Sequence, residues 1–206
     1  MLITYLGHSC FCLESEGYRL VLDPYAPGSV PGLADVDVQA DAVFCSHEHG
    51  DHNYRDGVKL SGRGLGPFSA ETAESFHDDA QGGKRGRNLI HIIRDGKTTL
   101  VHMGDQGCMP DAAQIEAIKG TDVMLIPVGG FYTVDAQQAK AIADLAQPAH
   151  IIPMHFRSEG FGLSVISGVE EFTGLYEGEQ ISALSSLDSA ELTEKITVLI
   201  PELSVK

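Results

Sequence analysis

A chain of 206 residues, 43% of them hydrophobic, can bury a large core, and with no linker-like shift in composition it is expected to form one domain over residues 1–206. Fourteen Lys and Arg against 29 Asp and Glu give a formal charge of -15, which repels polyanions; this argues against nucleic acid and leaves room for a small-molecule substrate, anionic ones included. No stretch approaches the roughly 20 apolar residues that span a bilayer, and residues 1–5 lack the basic start and apolar run of a signal peptide, so a soluble, cytoplasmic protein with no membrane partner is expected.

Residues 2–6, 10–13 and 18–22 read as strands of an antiparallel meander, with a turn region at 14–17. Asp23-Pro24 ends it, and residues 24–40, rich in Pro, Gly and Ala, form a loop bordering a pocket. A strand follows at 41–46. Residues 61–67 and 82–86 read as irregular connections, with 68–77 mostly strand between them. An Asp-Gly turn at 94–97 then joins strands 88–93 and 98–103 in a hairpin.

Beyond residue 105 helix and strand alternate: helix 111–119, buried strand 122–127, helix 134–146, buried strand 150–154, a short helix at 169–174 and a last strand at 195–200. Helix 134–146 places Ala136, Ala139, Ile142, Ala143 and Ala146 on one face. Two strand-rich halves interleaved with helices predict an α/β (α+β) fold of two stacked sheets with helices outside, an αβ/βα sandwich. The four cysteines, Cys10, Cys12, Cys45 and Cys108, contain no C-x-x-C pair and are expected to be mostly small buried thiols. A homo-oligomer is left open.

The strand at 41–46 runs into His47-Glu48-His49-Gly50-Asp51-His52, three imidazoles and two carboxylates in six residues. In an extended segment alternate residues face one way, so His47 and His49 point at one ion, while Asp51 and His52, past the bend at Gly50, turn toward a second. Imidazole with carboxylate suits a borderline divalent ion, zinc first, with manganese or iron allowed. The H-E-x-x-H pattern is absent, because Asp51 stands four residues after His47. A solvated histidine loop is the competing reading, but the full H-x-H-x-D-H after a buried strand outweighs it.

Such a loop supplies only part of a site. Asp105 and His155 also follow predicted strand ends, where open sheets commonly place ligands. His102 faces the opposite side of its strand from Asp105 and is expected in the core or hydrogen-bonded behind a ligand. His91 and His150, inside strands, are expected to be structural. His8, in Gly7-His8-Ser9, and Asp23 are candidates for orienting ligands through hydrogen bonds, His8 also for lining the pocket. Tyr132, just past a strand end, is a candidate donor to a substrate oxygen, and Cys108 a minor candidate for touching the site.

These residues resemble the metallo-β-lactamase-fold hydrolase superfamily, which carries H-x-H-x-D-H on such a strand end. The resemblance extends through Leu6-Gly7-His8-Ser9, Leu22-Asp23-Pro24, Phe76-His77-Asp78, His102-Met103-Gly104-Asp105, Pro127-Val128-Gly129-Gly130 and Pro153-Met154-His155. It is strongest to the small branch that includes L-ascorbate-6-phosphate lactonase-like proteins and further metal-dependent hydrolases. It implies a four-layer αβ/βα sandwich and two divalent ions, most readily Zn2+. His47, His49 and His77 would hold the first, Asp51, His52 and His155 the second, and Asp105 would bridge them.

With that resemblance goes hydrolysis of a small ester-like bond, a lactone or a phosphodiester, by hydroxide shared between the ions, with Asp51 as catalytic proton acceptor. A diiron-type oxidoreductase on the same fold is the first alternative; resembling diiron proteins carry an acidic residue where this chain has His49. A non-catalytic small-ligand binding module is the second, and the complete ligand set argues against it. RNA-processing relatives fit the charge poorly.

Overall fold

The structure is a computed structural model that describes residues 1–176, 180–181 and 185–203. Alternating apolar and polar residues at the start of the chain build β1 (Leu2–Gly7), β2 (Cys10–Ser15) and β3 (Tyr18–Leu22), each antiparallel to the next. Glu16 and Gly17, both at positive φ (50° and 74°), make the tight turn between β2 and β3. The chain continues through β4 (Val38–Ala40), β5 (Ala42–Phe44), β6 (Val58–Leu60), β7 (Ser69–Phe76), β8 (Arg87–Arg94) and β9 (Thr99–His102).

The second half alternates as its periodicity predicts. Helix α1 (Ala112–Ile118) is followed by β10 (Val123–Pro127), α2 (Ala136–Ala146), β11 (His150–Met154) and α3 (Glu170–Thr173). Short strands β12 (Gln180–Ile181), β13 (Ser186–Asp188) and β14 (Thr197–Val198) complete the described chain. Asp111 and Asp135 close capping boxes with Gln114 and Gln138 at the starts of α1 and α2. The buried face of α2 is Ala136, Ala139, Ile142, Ala143 and Ala146, the five residues its periodicity singles out.

Two five-stranded sheets result, ordered β13-β1-β2-β3-β5 and β11-β10-β9-β8-β7. Phe11 of the first sheet meets His102 of the second with ring centroids 6.1 Å apart, and Tyr5 packs on Phe11 at 4.8 Å, so the sheets stack face to face over one continuous apolar cluster. Helix α2 connects parallel β10 and β11, packs beside α1 and α3, and α1 also touches β7, which places the helices against the second sheet. All of β10 is buried, as a strand covered on both faces must be. No described helix is long and apolar enough to cross a membrane.

The short strands depart from expectation. Residues 24–40, read as loop, contain β4, which pairs in parallel with β6 in a small separate sheet. The last strand, expected over 195–200, shrinks to β14, with Ile196 making an isolated bridge to Ile151. At the edge of the first sheet lies β13, which the pattern does not announce. Segments of two or three residues complete no second period of alternation, so hydrophobic pattern cannot signal them.

Strand direction positions everything that follows. β1 and β3 are both antiparallel to β2, and β5 is parallel to β3, so β1, β3 and β5 run the same way. By the same logic β7, β9, β10 and β11 share one direction in the second sheet, with β8 reversed. The C-terminal ends of seven strands therefore gather along one edge of the sandwich.

Candidate metal centre

Each of those ends but one delivers a chemically active side chain. His8 follows β1, Asp23 follows β3, the histidine loop follows β5, and His77, Asp105 and His155 follow β7, β9 and β11. Two backbone bonds tie the sheets together here, Leu89 N to Ser46 O at 2.9 Å and His155 N to His8 O at 2.8 Å. His8, Asp23 and His155 adopt left-handed backbone (φ 57°, 45° and 52°), a cost of order 1–3 kcal/mol each for non-glycine residues that recurs at functional sites.

Asp23, fully buried, organises the histidine loop from behind. Its Oδ1 accepts from Ser46 N at 2.6 Å, and its Oδ2 accepts from Ser46 Oγ at 2.5 Å and from His52 Nδ1 at 2.8 Å. Burial alone would raise the Asp23 pKa; His102, His52 and the Ser46 hydroxyl outweigh it and hold the carboxyl down at about 2. An ionised Asp23 accepts the single Ser46 hydroxyl proton, so Ser46 Oγ in turn accepts from His47 Nδ1, 2.9 Å away. One carboxylate thus sets the tautomer of two histidines and leaves Nε2 of His47 and His52 facing inward.

Asp105 sits where those nitrogens point. Its Oδ2 lies 3.2 Å from His52 Nε2, 3.2 Å from His77 Nε2, 3.4 Å from His155 Nε2 and 3.9 Å from His47 Nε2. Gly104, at φ +57°, admits this placement: a Cβ there would stand 2.3 Å from Asn88 Oδ1 and 2.5 Å from the Ser46 Cβ. Asn88, fully buried, accepts from Asp105 N at 3.0 Å and donates to Met103 O at 2.8 Å. Burial would raise the Asp105 pKa, but the imidazoles of His155 and His52 hold it well below the ordinary carboxylate range.

Around Asp105 the side chains fall into two groups whose ligand atoms lie within 4.8 Å of one another: His47, His49 and His77, and His8, Asp51, His52 and His155. A third grouping, Asp23 with His47 and His52, is the hydrogen-bonded support just described. Buried Nε2 atoms of His8, His47, His52 and His155, with Asp105 Oδ1, make no hydrogen bond, and such groups are costly to bury without a partner. A divalent cation in each group would satisfy them; the donor set, imidazole nitrogen with carboxylate oxygen, suits zinc. The residues present therefore fit two ions.

Electrostatics follow the same geometry. Burial, then His52, lowers the His47 pKa to about 3; burial, then His155, lowers that of His8 to about 4. His52 moves the other way: burial opposes, but Asp105 and Asp23 lift it well above the ordinary imidazole value. Asp51, whose Oδ2 is 3.3 Å from His8 Nε2, is lowered despite the desolvation that opposes it. His49 is exposed and Asp51 half-buried, so the site opens to solvent on their side.

The remaining sequence candidates separate cleanly. His102 Nε2 donates to Ser9 O at 2.8 Å and its Nδ1 accepts from Gly104 N at 3.1 Å, so the ring is turned into the core between the sheets. Cys108 Sγ lies 3.7 Å from Gln106 Nε2 and 3.9 Å from Phe76 O, beside the loop after β7. Tyr132 has the Arg85 guanidinium 5.4 Å from its ring and Phe131 packed edge-on at 4.8 Å. The neighbouring Val134 N bonds Gln106 O at 2.8 Å, which ties this turn to the residue after Asp105.

Ser46, Asn88 and Asp78 are supports that sequence reasoning missed. Asp78 accepts backbone N–H from Ala80, Gly82, Lys84 and Arg85, fastening the loop behind His77. Only weak signals announced them: a lone Asn heading an apolar strand, and an Asp beside a candidate ligand ahead of a Gly-rich loop.

The description of the Beta-lactamase superfamily domain matches residues 2–155. A metal-dependent hydrolase of Opitutus terrae is 34% identical, with 77% of this chain and 86% of that protein covered. One of Carboxydothermus hydrogenoformans is 29% identical, covering 77% and 85%. Among solved structures, a Thermotoga maritima protein described as a proposed Zn-dependent hydrolase of the metallo-beta-lactamase superfamily is 31% identical, superimposes with a TM-score of 0.75 and covers 96% of this chain and 97% of its own. On the sequence match, the two-sheet architecture and the strand-end geometry together, this chain belongs to the beta-lactamase superfamily, with the metallo-β-lactamase fold.

Proposed function

We propose that this chain is a metal-dependent hydrolase, acting as one domain, that holds two divalent ions, zinc first, and cleaves a small ester-like bond, a lactone or a phosphodiester. The observation that carries the reading is the convergence of four buried Nε2 atoms, of His47, His52, His77 and His155, within 3.2–3.9 Å of one Asp105 carboxylate oxygen. The names of the relatives from Opitutus terrae and Carboxydothermus hydrogenoformans point the same way. When bound, the ions supply Lewis acidity, acidifying water and polarising the bond to be cleaved.

The chain's own residues do the rest. Asp23 and Ser46 keep the ligand nitrogens of His47 and His52 aimed inward. Asp105 carries negative charge at neutral pH because its imidazole neighbours outweigh its burial, and this charge lets two cations sit close together. Asp51, half-buried at the open side, is the ionised group that accepts a proton during turnover. His49, exposed in the same mouth, is the ligand nearest incoming substrate.

The test is metal analysis followed by a panel of lactones, phosphodiesters and thioesters, comparing native protein with His49→Ala and Asp105→Ala. Two equivalents of transition metal are expected in the native protein, and one activity lost by at least about 100-fold in both variants with folding retained. A purified protein without transition metal, gaining no activity with zinc or manganese, sinks the proposal.

A further inference from the structure

His8 lies outside the ligand set that the sequence resemblance implies, yet it is built into the second group as closely as any member. We propose that His8 Nε2 is a fourth private ligand of that group's ion, which makes the two positions unequal: a buried, tightly held one at His8, Asp51, His52 and His155, and an open, exchangeable one at His47, His49 and His77. This rests on the two-ion reading above.

Distances support the assignment. Ligand atoms about 2.0–2.2 Å from one zinc stand roughly 2.8–3.8 Å apart along the edges of a five-donor shell. The His8 Nε2 to Asp51 Oδ2 separation is 3.3 Å, and Asp105 Oδ2 lies 3.2 Å from His52 Nε2 and 3.4 Å from His155 Nε2. The His8 side chain is wholly buried, its Nδ1 has no hydrogen-bond partner, and its Nε2 faces the Asp51 carboxylate, so the reactive edge of the ring is aimed into the group.

The backbone of His8 is itself fixed. Its carbonyl accepts from Tyr5 Oη and from His155 N, both at 2.8 Å, and its ring packs on that of His155 at 4.1 Å. Gly7 before it, at φ +116°, presses against Leu33, where a Cβ would meet Cδ1 at 2.5 Å. The two left-handed residues His8 and His155, one from each sheet, are thus locked to each other.

Inequality follows from burial and count. With Asp105 shared, the His8 group offers five donors, of which His8, His52 and His155 are fully buried; the other group offers four and includes exposed His49. Ligands already fixed lose little freedom on binding, so the buried position binds more tightly. The most exposed ligand candidate is His49, so solvent reaches its group more readily than the three wholly buried histidines of the His8 group.

Chelator-stripped native protein titrated with Co2+ or Zn2+, followed by calorimetry and visible absorption, tests this without any activity assay. Two steps are expected, the first at least about 10-fold tighter. His8→Gln, which keeps a polar side chain of similar size, should weaken the tight step at least about 10-fold and leave the weak one unchanged; His8→Ala should match it. His49→Ala should remove only the weak step. Two steps indifferent to both His8 variants, or loss of the tight step in His49→Ala, overturn the inference and leave the two-ion reading standing. A native protein that takes up no metal overturns both.

Discussion

Asp23 shows how much one side chain decides. It is 29 residues from His52 and 23 from Ser46, and its two oxygens orient both. Asn in its place keeps the shape but turns one acceptor into a donor, so Asp23→Asn should lower metal affinity about 10–100-fold with folding retained, measured by competition with a chromophoric chelator. Unchanged affinity would mean that the network does not tune the ligands. His47, His49, Asp51 and His52 were legible because all lie within one turn of chain. Ser46 and Asn88 were not, because a hydrogen bond between residues tens of positions apart leaves no local pattern.

At the scale of elements, long periodic segments read true and short ones did not. The five-residue face of α2 is buried as expected, while the three-residue β4 and β13 went unannounced. Asp135 accepts from Gln138 N at 2.8 Å, so Asp135→Ala should cost about 1 kcal/mol in denaturant unfolding and leave metal content unchanged.

The loop behind His77 is expected to loosen in acid. Burial would raise the Asp78 pKa, but four backbone donors lower it to about 2 from an ordinary 3.8. A carboxylate depressed on folding stabilises above its unfolded pKa, and the contribution fades as pH falls from 3.8 toward 2. Proteolytic nicking within residues 79–86 should therefore rise over that interval in the native protein, and Asp78→Asn should be nicked already at neutral pH. Equal protection of both proteins at pH 7 would refute this role.

For the whole molecule, the site is a joint between two sheets, since His8, Asp23 and the histidine loop come from one and His77, Asp105 and His155 from the other. Ions bound there stabilise only the folded chain. At about 100 times the dissociation constant each contributes about 2.7 kcal/mol, so chelation should lower Tm by roughly 5–10 °C per ion in a domain of this size, read by scanning calorimetry. An unchanged Tm would mean that no ion bridges the sheets.

By itself the sequence determined the strand and helix pattern, the two-sheet class and the ligand-rich loop, because periodicity and close spacing are local properties of a chain. Only the tertiary structure decided that β1, β3, β5, β7, β9 and β11 all point their C-terminal ends at one edge. That common direction is set by which strands pair and in which sense. It is why His8, which the sequence offers as a residue lining the pocket or orienting a ligand, stands 3.3 Å from Asp51.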